Sequence, residues 1–383
     1  MSRVIDEHRQ FLSDHVRLAA FAKAIDEVVQ VGDTVLDLGS GTGILALLAC
    51  RAGAHRVYSI ESSGIIQIAR EIAQANGFND RIVFVKGLST RVTLPEPVDV
   101  IVGDQIGRMG FEAGLLDDLS DARERFLKPG GRLVPETVSM MVAPIERSES
   151  WSWVSFWEGS TQGFDFSAAR RIASNTGYPT NLNPEDLLGS PVCAWTFETK
   201  TTTNSPFASS FTLPVERNGH LHGLGVWFEA MLSKSSSMTN SPLAGERINR
   251  RNVFLPIERP VEVKTGDRVE VRLHVRPQDL IVSWSGEVWK ASAETNDQLL
   301  AKFGQSTFKG MLVDRDAIQR TEPSSVPRLT PWGEARRTIL NLSDGLHTLA
   351  EIEQEVYSAH RKLFRTEGDA AGFVAEVIPG YSL

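Results

Sequence analysis

The stretch VLDLGSGTG, residues 35–43, constrains the fold of this chain more than any other. It begins as an apolar run typical of a buried strand and then passes Gly39, Gly41 and Gly43 before an apolar, helix-like segment. Glycines adopt backbone angles that other residues avoid, and they let the backbone approach a ligand closely. A strand that turns through glycines into a helix therefore predicts a ligand-binding edge of a sheet.

Strand-like and helix-like segments alternate along the first 144 residues. The predicted strands are 31–39, 56–61, 81–87 and 98–104. The predicted helices are 5–30, 44–54, 64–77 and 115–131, the last closing in a Pro-Gly-Gly turn. This alternation indicates βαβ units and a parallel sheet covered on both faces. The fold class predicted for residues 1–144 is therefore a Rossmann-like α/β domain.

The pattern changes after residue 144. Aromatic-rich segments at 151–157 and 163–175 are predicted to be helical, within a helical arm of about 151–190. Short strands rich in Val, Phe and Thr follow up to residue 312, separated by turn residues, which is typical of an antiparallel β-barrel or sandwich. Residues 313–383 are predicted to form a small C-terminal helical domain with helices at 331–342, 348–360 and 368–378.

Composition excludes several classes of protein. Acidic residues outnumber basic ones by 48 to 40, and this balance argues against a nucleic-acid partner. The two cysteines and the eight histidines show no metal-site spacing. No apolar run is long enough for a membrane span, and the charged start of the chain lacks the apolar core of a signal peptide. We therefore expect a cytoplasmic protein with no metal, no nucleic-acid partner and no membrane partner.

Two acidic residues indicate which ligand the glycine turn binds. Glu61 ends the predicted strand that follows Asp37, where a carboxylate can hold a nucleotide ribose. The spacing suits either NAD or S-adenosylmethionine (SAM). The motif is D-x-G-x-G-x-G instead of the dinucleotide G-x-G-x-x-G, Glu61 has no compensating basic neighbour, and the fourth strand ends in Asp104. These details favour SAM.

The same residues carry a family resemblance. VLDLGSGTGILALLACRAGAHRVYSIESS resembles the core of the class I SAM-dependent methyltransferases, and in particular of the protein arginine methyltransferases. QFLSDHVRLAAF is similar to that family's first SAM-binding helix, and GFDFSAARRIA resembles its dimerisation arm, which implies a homodimer. The resemblance covers about residues 5–275. The tail loosely resembles the helical part of PqqD-like domains, which recognise peptide leaders, but the pattern favours a helical cap on the barrel or an oligomer contact.

The resemblance implies a set of cofactor-binding residues. Arg17 would hold the carboxylate of the methionine part of SAM, since Arg donates charge-assisted hydrogen bonds to carboxylates. Glu61 would accept hydrogen bonds from the ribose hydroxyls. The full implied set is Arg17, Asp37, Gly39, Ser40, Gly41, Glu61, Ser62, Gly87 and Leu88.

The substrate side departs from the family pattern in the segment GDQIGRMGFEAGLL, residues 103–116. The family places two glutamates there around a substrate guanidinium. Asp104 stands in the first place and Ala113 in the second, so that Glu112 is one residue early. Glu112 either enters the site through a shift in the hairpin or is a solvated residue at a helix start. Arg108 either pairs with Glu112 or binds a substrate carboxylate.

Two further departures also affect the substrate side. The family's Thr-His-Trp loop is replaced by Arg247, Ile248 and Asn249, and Asn249 is a candidate substrate contact. The family's tyrosine-bearing lid helix has no counterpart in the sequence. We expect methyl transfer from SAM to a guanidino or amino nitrogen of a small molecule or peptide, catalysed by Asp104 and Glu112. The alternatives are a natural-product methyltransferase acting on another nitrogen, oxygen or carbon, and a non-catalytic SAM-binding scaffold.

Overall fold

The computed structural model describes residues 4–291 and 298–382. Contacts divide the chain into one compact unit that ends at Met311 and a second that begins at Leu312. The described residues of the first unit form a parallel sheet followed by two large antiparallel sheets and one two-stranded hairpin. The second is helical.

The parallel sheet confirms the predicted Rossmann-like core. Its five strands pair in the order β3-β2-β1-β4-β5, and every pairing is parallel. Because β1 and β4 are neighbours, the residues that follow them meet at one edge of the sheet. The strands are β1 Thr34–Leu38, β2 Arg56–Glu61, β3 Ile82–Lys86, β4 Val98–Gly103 and β5 Leu127–Val134.

The prediction of a single helix over 5–30 was wrong. Asp14 interrupts it, because its side chain accepts a hydrogen bond from the backbone N–H of Arg17 at 3.1 Å and caps a second helix. The helices of this region are α1 Val4–Ser13, α2 His15–Val28, α3 Ile44–Ala52, α4 Ile66–Ala75 and α5 Leu115–Phe126.

The Pro-Gly-Gly segment after α5 is also not a plain turn. Residues Leu127–Val134 form strand β5, and its pairing with β4 shifts register between Val98 and Val100. The extra residues of β5 bulge out opposite this shift, so the strand resumes on the far side of the glycines. Proline and two glycines predict a turn in this segment, but pairing with β4 makes it a strand.

Two antiparallel sheets confirm the predicted β-rich region. One pairs in the order β10-β6-β12-β14-β9, with β13 beside β12, and the other in the order β11-β15-β16-β17. Their strands are β6 Thr137–Ile145, β9 Tyr178–Thr180, β10 Val192–Glu198, β11 Phe207–Pro214, β12 Gly219–Ser233, β13 Ser236–Thr239, β14 Asn252–Val263, β15 Arg268–Arg276, β16 Ile281–Lys290 and β17 Gln298–Ser306.

The segment predicted as a helical arm is only partly helical. It contains α6 Ser148–Ser155 and α7 Arg170–Ala173. Between them lies a small hairpin of β7 Ser160–Thr161 and β8 Phe164–Asp165. Gln162 and Gly163 at its tip have positive φ, which is turn geometry that no helix accommodates.

The β12–β13 hairpin packs on α2 and thereby fixes the loop that follows it. The Ser236 hydroxyl donates to the Ala20 carbonyl at 2.7 Å, and the Lys23 ammonium donates to the Ser235 carbonyl at 2.6 Å. The loop between β13 and β14 therefore lies beside the helix that carries Arg17.

The second unit has its own small core. Its helices are α8 Arg315–Thr321, α9 Pro331–Leu342, α10 Leu349–Ala359 and α11 Glu367–Val377. Thr348 and Glu351 form the capping box that starts α10. The buried core side chains are Ile339, Ile352, Val356, Phe364, Ala370, Val374 and Val377. Over the described residues of the whole chain, no helix is long and apolar enough to cross a membrane.

Candidate active site

The carboxyl ends of β1, β2 and β4 form one edge of the parallel sheet. Gly39 follows β1, Glu61 ends β2 and Asp104 follows β4. Ligands of open α/β sheets bind at this edge. The sheet therefore brings together Gly39, Glu61 and Asp104, the residues on which the prediction of a SAM site mainly depended.

The glycine turn is shaped for close approach. Gly39 and Gly41 have φ of +68° and +54°. A Cβ atom on Gly41 would lie 2.7 Å from the His8 ring, and one on Gly39 would lie 2.8 Å from the Gln105 amide nitrogen. The positive φ angles favour glycine at both positions, and a Cβ atom would in addition displace the end of the Gln105 or His8 side chain.

Glu61 is held in place by the turn itself. Its Oε2 accepts a hydrogen bond from the Gly41 N–H at 3.0 Å, and its Oε1 accepts one from the Ser63 N–H at 2.7 Å. A carboxylate oxygen has capacity for more than one hydrogen bond. The carboxylate therefore retains acceptor sites for a ligand with neighbouring hydroxyl groups.

Asp37 lies under the turn and is buried. Its Oδ2 accepts from the Ala46 N–H at 3.0 Å at the start of α3. Burial raises the pKa of the Asp37 carboxyl to about 7, against the effect of this hydrogen bond. In the described part of the chain, Asp37 Oδ1 and Ser40 Oγ are buried without hydrogen-bond partners. Unpartnered buried polar atoms of this kind fit a site that a polar ligand completes.

A cleft of about 230 Å³ opens beside Glu61. Three polar residues of its wall, which the sequence prediction missed, are Ser89, Gln105 and Asp118. The Asp118 carboxylate accepts hydrogen bonds from the Ser89 hydroxyl at 2.9 Å and from the Gln105 amide at 2.8 Å. The only sequence signal for Asp118 is that it is an acidic residue in the first turn of the helix after β4, and the prediction did not use it. The donors and acceptors of this cleft fit the nucleoside part of SAM. The predicted cofactor residues that it brings together are Gly39, Glu61, Ser62, Gly87 and Leu88.

Arg17 and Asp104 form a buried ion pair. The Arg17 Nε donates to Asp104 Oδ2, and the two side chains are only 7% and 8% exposed. Arg17 is also sandwiched by Phe11 and Phe21, whose ring centroids are 5.1 and 5.6 Å from the guanidinium carbon. Arg250 Nη2 reaches the same Oδ2 at 3.4 Å. Asp104 Oδ1 is buried and unpartnered among the described residues, so this carboxylate keeps a free acceptor.

A second cleft, of about 620 Å³, is lined by Asp104. We call it the acceptor cleft. The predicted substrate contacts Arg108 and Asn249 both line it. The remaining lining residues are Glu7, Gln10, Phe11, Asp104, Gly107, Ala113, Asn181, Arg250 and Arg251.

The structure does not bring Glu112 together with Asp104 in this cleft. The Glu112 carboxylate accepts from the backbone N–H groups of Arg108 and Met109, the latter at 3.0 Å, and lies over Gly107. Ala113 is the residue that contributes to the wall. The shift that would carry Glu112 into the site is therefore absent, because the hairpin amides already occupy its oxygens. Glu112 accepts from the backbone N–H of Arg108 and not from its guanidinium. Of the two partners predicted for the Arg108 side chain, Glu112 and a substrate carboxylate, only the second remains.

The fold and this edge of the sheet define the class of protein. A parallel sheet in the order 3-2-1-4-5, a glycine turn after β1 and carboxylates at the ends of β2 and β4 are the arrangement expected of a Rossmann-like SAM-dependent methyltransferase. Within the described residues, no group of His, Cys, Asp and Glu side chains is arranged to hold a metal ion.

Comparisons with known proteins identify the family within that class. Residues 15–137 match the model of the ribosomal protein L11 methyltransferase (PrmA), and residues 136–284 match that of the arginine methyltransferase oligomerization subdomain. A probable protein arginine N-methyltransferase 6.1 of Oryza sativa subsp. japonica is 33% identical over 348 residues, covering 82% of this chain and 85% of the relative. The protein arginine N-methyltransferase 1 of Dictyostelium discoideum is 29% identical and covers 75% and 89%.

Solved structures agree with the sequence comparisons. The protein arginine methyltransferase 10 of Arabidopsis thaliana superposes with a TM-score of 0.68 at 25% identity, covering 78% of this chain and 97% of that one. A Trypanosoma brucei PRMT1 enzyme–prozyme complex gives the same TM-score at 23% identity, which supports the fold. The chain belongs to the protein arginine N-methyltransferase family.

Proposed function

We propose that this protein transfers a methyl group from SAM to a guanidino or amino nitrogen. The acceptor is free arginine, a related small molecule or an arginine within a peptide. The names of the curated relatives support arginine chemistry. One observation carries the proposal: Asp104, which directly follows β4, lines the acceptor cleft and has a buried, unpartnered Oδ1. That oxygen can accept a hydrogen bond from the N–H group of an acceptor.

The cofactor residues divide into three groups. Glu61 would accept from the ribose hydroxyls, the turn with Gly39 and Gly41 would border the ligand backbone, and Arg17 would pair with the methionine carboxylate. The unpartnered atoms of Asp37 and Ser40 support this assignment. When bound, SAM supplies an electrophilic methyl group on a sulfonium and becomes S-adenosylhomocysteine. The proposed reaction uses no metal.

Asp104 has two tasks in this mechanism. A guanidinium is fully protonated at neutral pH, so its positive charge has to be localised away from the nitrogen that is methylated. A buried carboxylate does this through a charge-assisted hydrogen bond. The bond is made by a guanidinium nitrogen other than the one that is methylated, and it orients the second nitrogen towards the methyl group, which lowers the barrier. That nitrogen forms a bond to the methyl carbon as the carbon–sulfur bond breaks, the sulfur keeps the electron pair, and the nitrogen releases one proton to solvent. Arg17 and Arg250 in turn fix the carboxylate through its other oxygen, Oδ2.

A second candidate is methyl transfer to another nitrogen, oxygen or carbon of a natural product. Ala113 in the wall of the acceptor cleft favours it, because the segment after β4 then offers the cleft one carboxylate, Asp104, instead of two. With one carboxylate, Asp104 would act as a base or orienting group for a neutral nucleophile.

A direct assay separates these functions. We expect the purified protein to consume SAM and to add a methyl group to arginine or to an arginine peptide, detected by mass spectrometry with S-adenosylhomocysteine formed in equal amount. The matched control is Glu61→Ala, which should lose turnover through weaker cofactor binding. Methylation confined to hydroxyl or carbon acceptors would establish the second candidate. An absence of S-adenosylhomocysteine binding in calorimetry would leave the scaffold interpretation.

We further propose a homodimer formed through the arm of residues 148–173. The match to an oligomerization subdomain supports self-association. Phe156 and Phe164 are 61% and 68% exposed on this arm, although large aromatic side chains are usually buried. We expect sedimentation of the full chain to give the mass of two copies. Phe156→Ser with Phe164→Ser should shift it to one copy, and an unchanged sedimentation profile would contradict the proposal.

A further inference from the structure

The acceptor cleft is more basic than a guanidinium-binding site requires. Arg108, Arg250 and Arg251 line it, against the carboxylates of Glu7 and Asp104. Arg250 donates to the Gly107 carbonyl at 3.0 Å and contacts Asp104. The guanidinium groups of Arg108 and Arg251 form neither a hydrogen bond nor an ion pair within the described part of the chain. Two cations therefore face the cleft without a partner.

One buried side chain brings these two cations to the same place. Asn240, which is fully buried, donates from its amide nitrogen to the backbone carbonyl of Arg108 at 3.0 Å and to that of Arg251 at 3.1 Å. Its Oδ1 accepts from the Phe228 N–H at 2.9 Å, and Asn252 donates to its backbone carbonyl at 2.6 Å. The hairpin after β4 and the loop before β14 are thus joined at the positions that carry Arg108 and Arg251.

Electrostatics limits what such a cleft can bind. A substrate with only a guanidinium would meet Asp104 together with three arginine side chains, and like charges at close range are unfavourable. A substrate that also carries a carboxylate satisfies both ends, because guanidinium groups bind carboxylates through paired, charge-assisted hydrogen bonds. The volume of about 620 Å³ is in the range of small-molecule sites.

Building on the function proposed above, we propose that the methyl acceptor is a small amino acid with a basic side chain, and that Arg108, assisted by Arg251, binds its carboxylate. The side-chain nitrogen then faces Asp104. Arg108 and Arg251 are specificity-determining residues in this arrangement, and Asn240 is a positioning residue that acts through their backbone. An arginine inside a peptide lacks the free carboxylate that these two side chains select.

The test compares L-arginine with agmatine, which has the same guanidino group and no carboxylate. With the wild-type protein we expect kcat/KM for arginine to exceed that for agmatine by about tenfold or more, because a charged hydrogen bond is lost. Arg108→Gln should raise KM for arginine about tenfold with little change in kcat, and leave agmatine within about twofold. Arg251→Gln should act in the same direction. Arg259→Gln removes an exposed arginine outside the cleft and is the control.

Each other outcome has a distinct meaning. Equal turnover of arginine and agmatine by the wild-type protein would overturn the carboxylate site and leave the proposed function intact. Preference for an arginine peptide over free arginine would do the same. Failure to methylate any guanidino or amino compound, despite binding of S-adenosylhomocysteine, would overturn the proposed function itself. Calorimetry of arginine and agmatine with the S-adenosylhomocysteine complex gives the same comparison without turnover, and Arg108→Lys should recover part of the arginine affinity.

Discussion

The substitution Asp104→Asn is expected to lower kcat for methyl transfer by about 100-fold or more, in the range seen when a positioned catalytic carboxylate is removed. The asparagine keeps the size of the side chain but loses the negative charge that localises the charge of the acceptor. Its amide oxygen can still accept from Arg17 and Arg250, but without the negative charge that pairs with them. Binding of S-adenosylhomocysteine should change much less, because Arg17 becomes free to pair with the ligand carboxylate. Single-turnover rates and calorimetry measure the two effects separately.

Glu112→Gln is the matched control for that experiment. The introduced amide would still offer one oxygen to the backbone N–H groups of Arg108 and Met109, so activity should fall only a few-fold while the hairpin loses stability. If both variants turn over normally, the proposed function is wrong. If Glu112→Gln abolishes turnover without changing the melting temperature, Glu112 takes part in methyl transfer. The hairpin must then rearrange when the acceptor binds.

The cofactor side of the site was predictable from sequence because its signals are local. Asp37 lies in β1, the glycines follow β1 directly and Glu61 ends β2, and parallel pairing of β1 with β2 places these strand ends together. Gly87 and Leu88 follow the third strand for the same reason. Each of these residues lies near the cleft because it lies at or just after the carboxyl end of a strand. Once the strands are correctly assigned, the positions of these residues can be predicted as well.

The acceptor side was less predictable because its contacts are distant in sequence. Arg250 reaches Asp104 across the boundary between the two kinds of sheet, and nothing in the local sequence RINRRN marks it. The conformation of Glu112 depends on backbone amides that become free only when the hairpin takes its final shape. The sequence shows that Glu112 is one residue early and that Ala113 takes the expected place. It does not decide whether Glu112 enters the site or lies outside it.

The substitution Arg17→Gln should have the largest combined effect on cofactor binding and stability. Affinity for S-adenosylhomocysteine should fall about 10- to 100-fold, because a charge-assisted contact to the ligand carboxylate is removed. The free energy of unfolding should also fall by about 3 kcal/mol, since the substitution leaves the buried Asp104 with only the longer contact to Arg250. Calorimetry and denaturant titration measure the two losses.

A double-mutant cycle with Asp104→Asn tests whether the two losses have different causes. If the stability loss comes from the uncompensated charge of Asp104, the double variant should recover it, with a coupling energy of about 1 kcal/mol or more. Affinity for S-adenosylhomocysteine should stay low in the double variant, because the arginine that pairs with the ligand is still missing. Additive stability effects would show that Arg17 contributes through its packing between Phe11 and Phe21 instead. Arg17 would then belong to the cofactor site alone, and Asp104 would depend on Arg250 for its position.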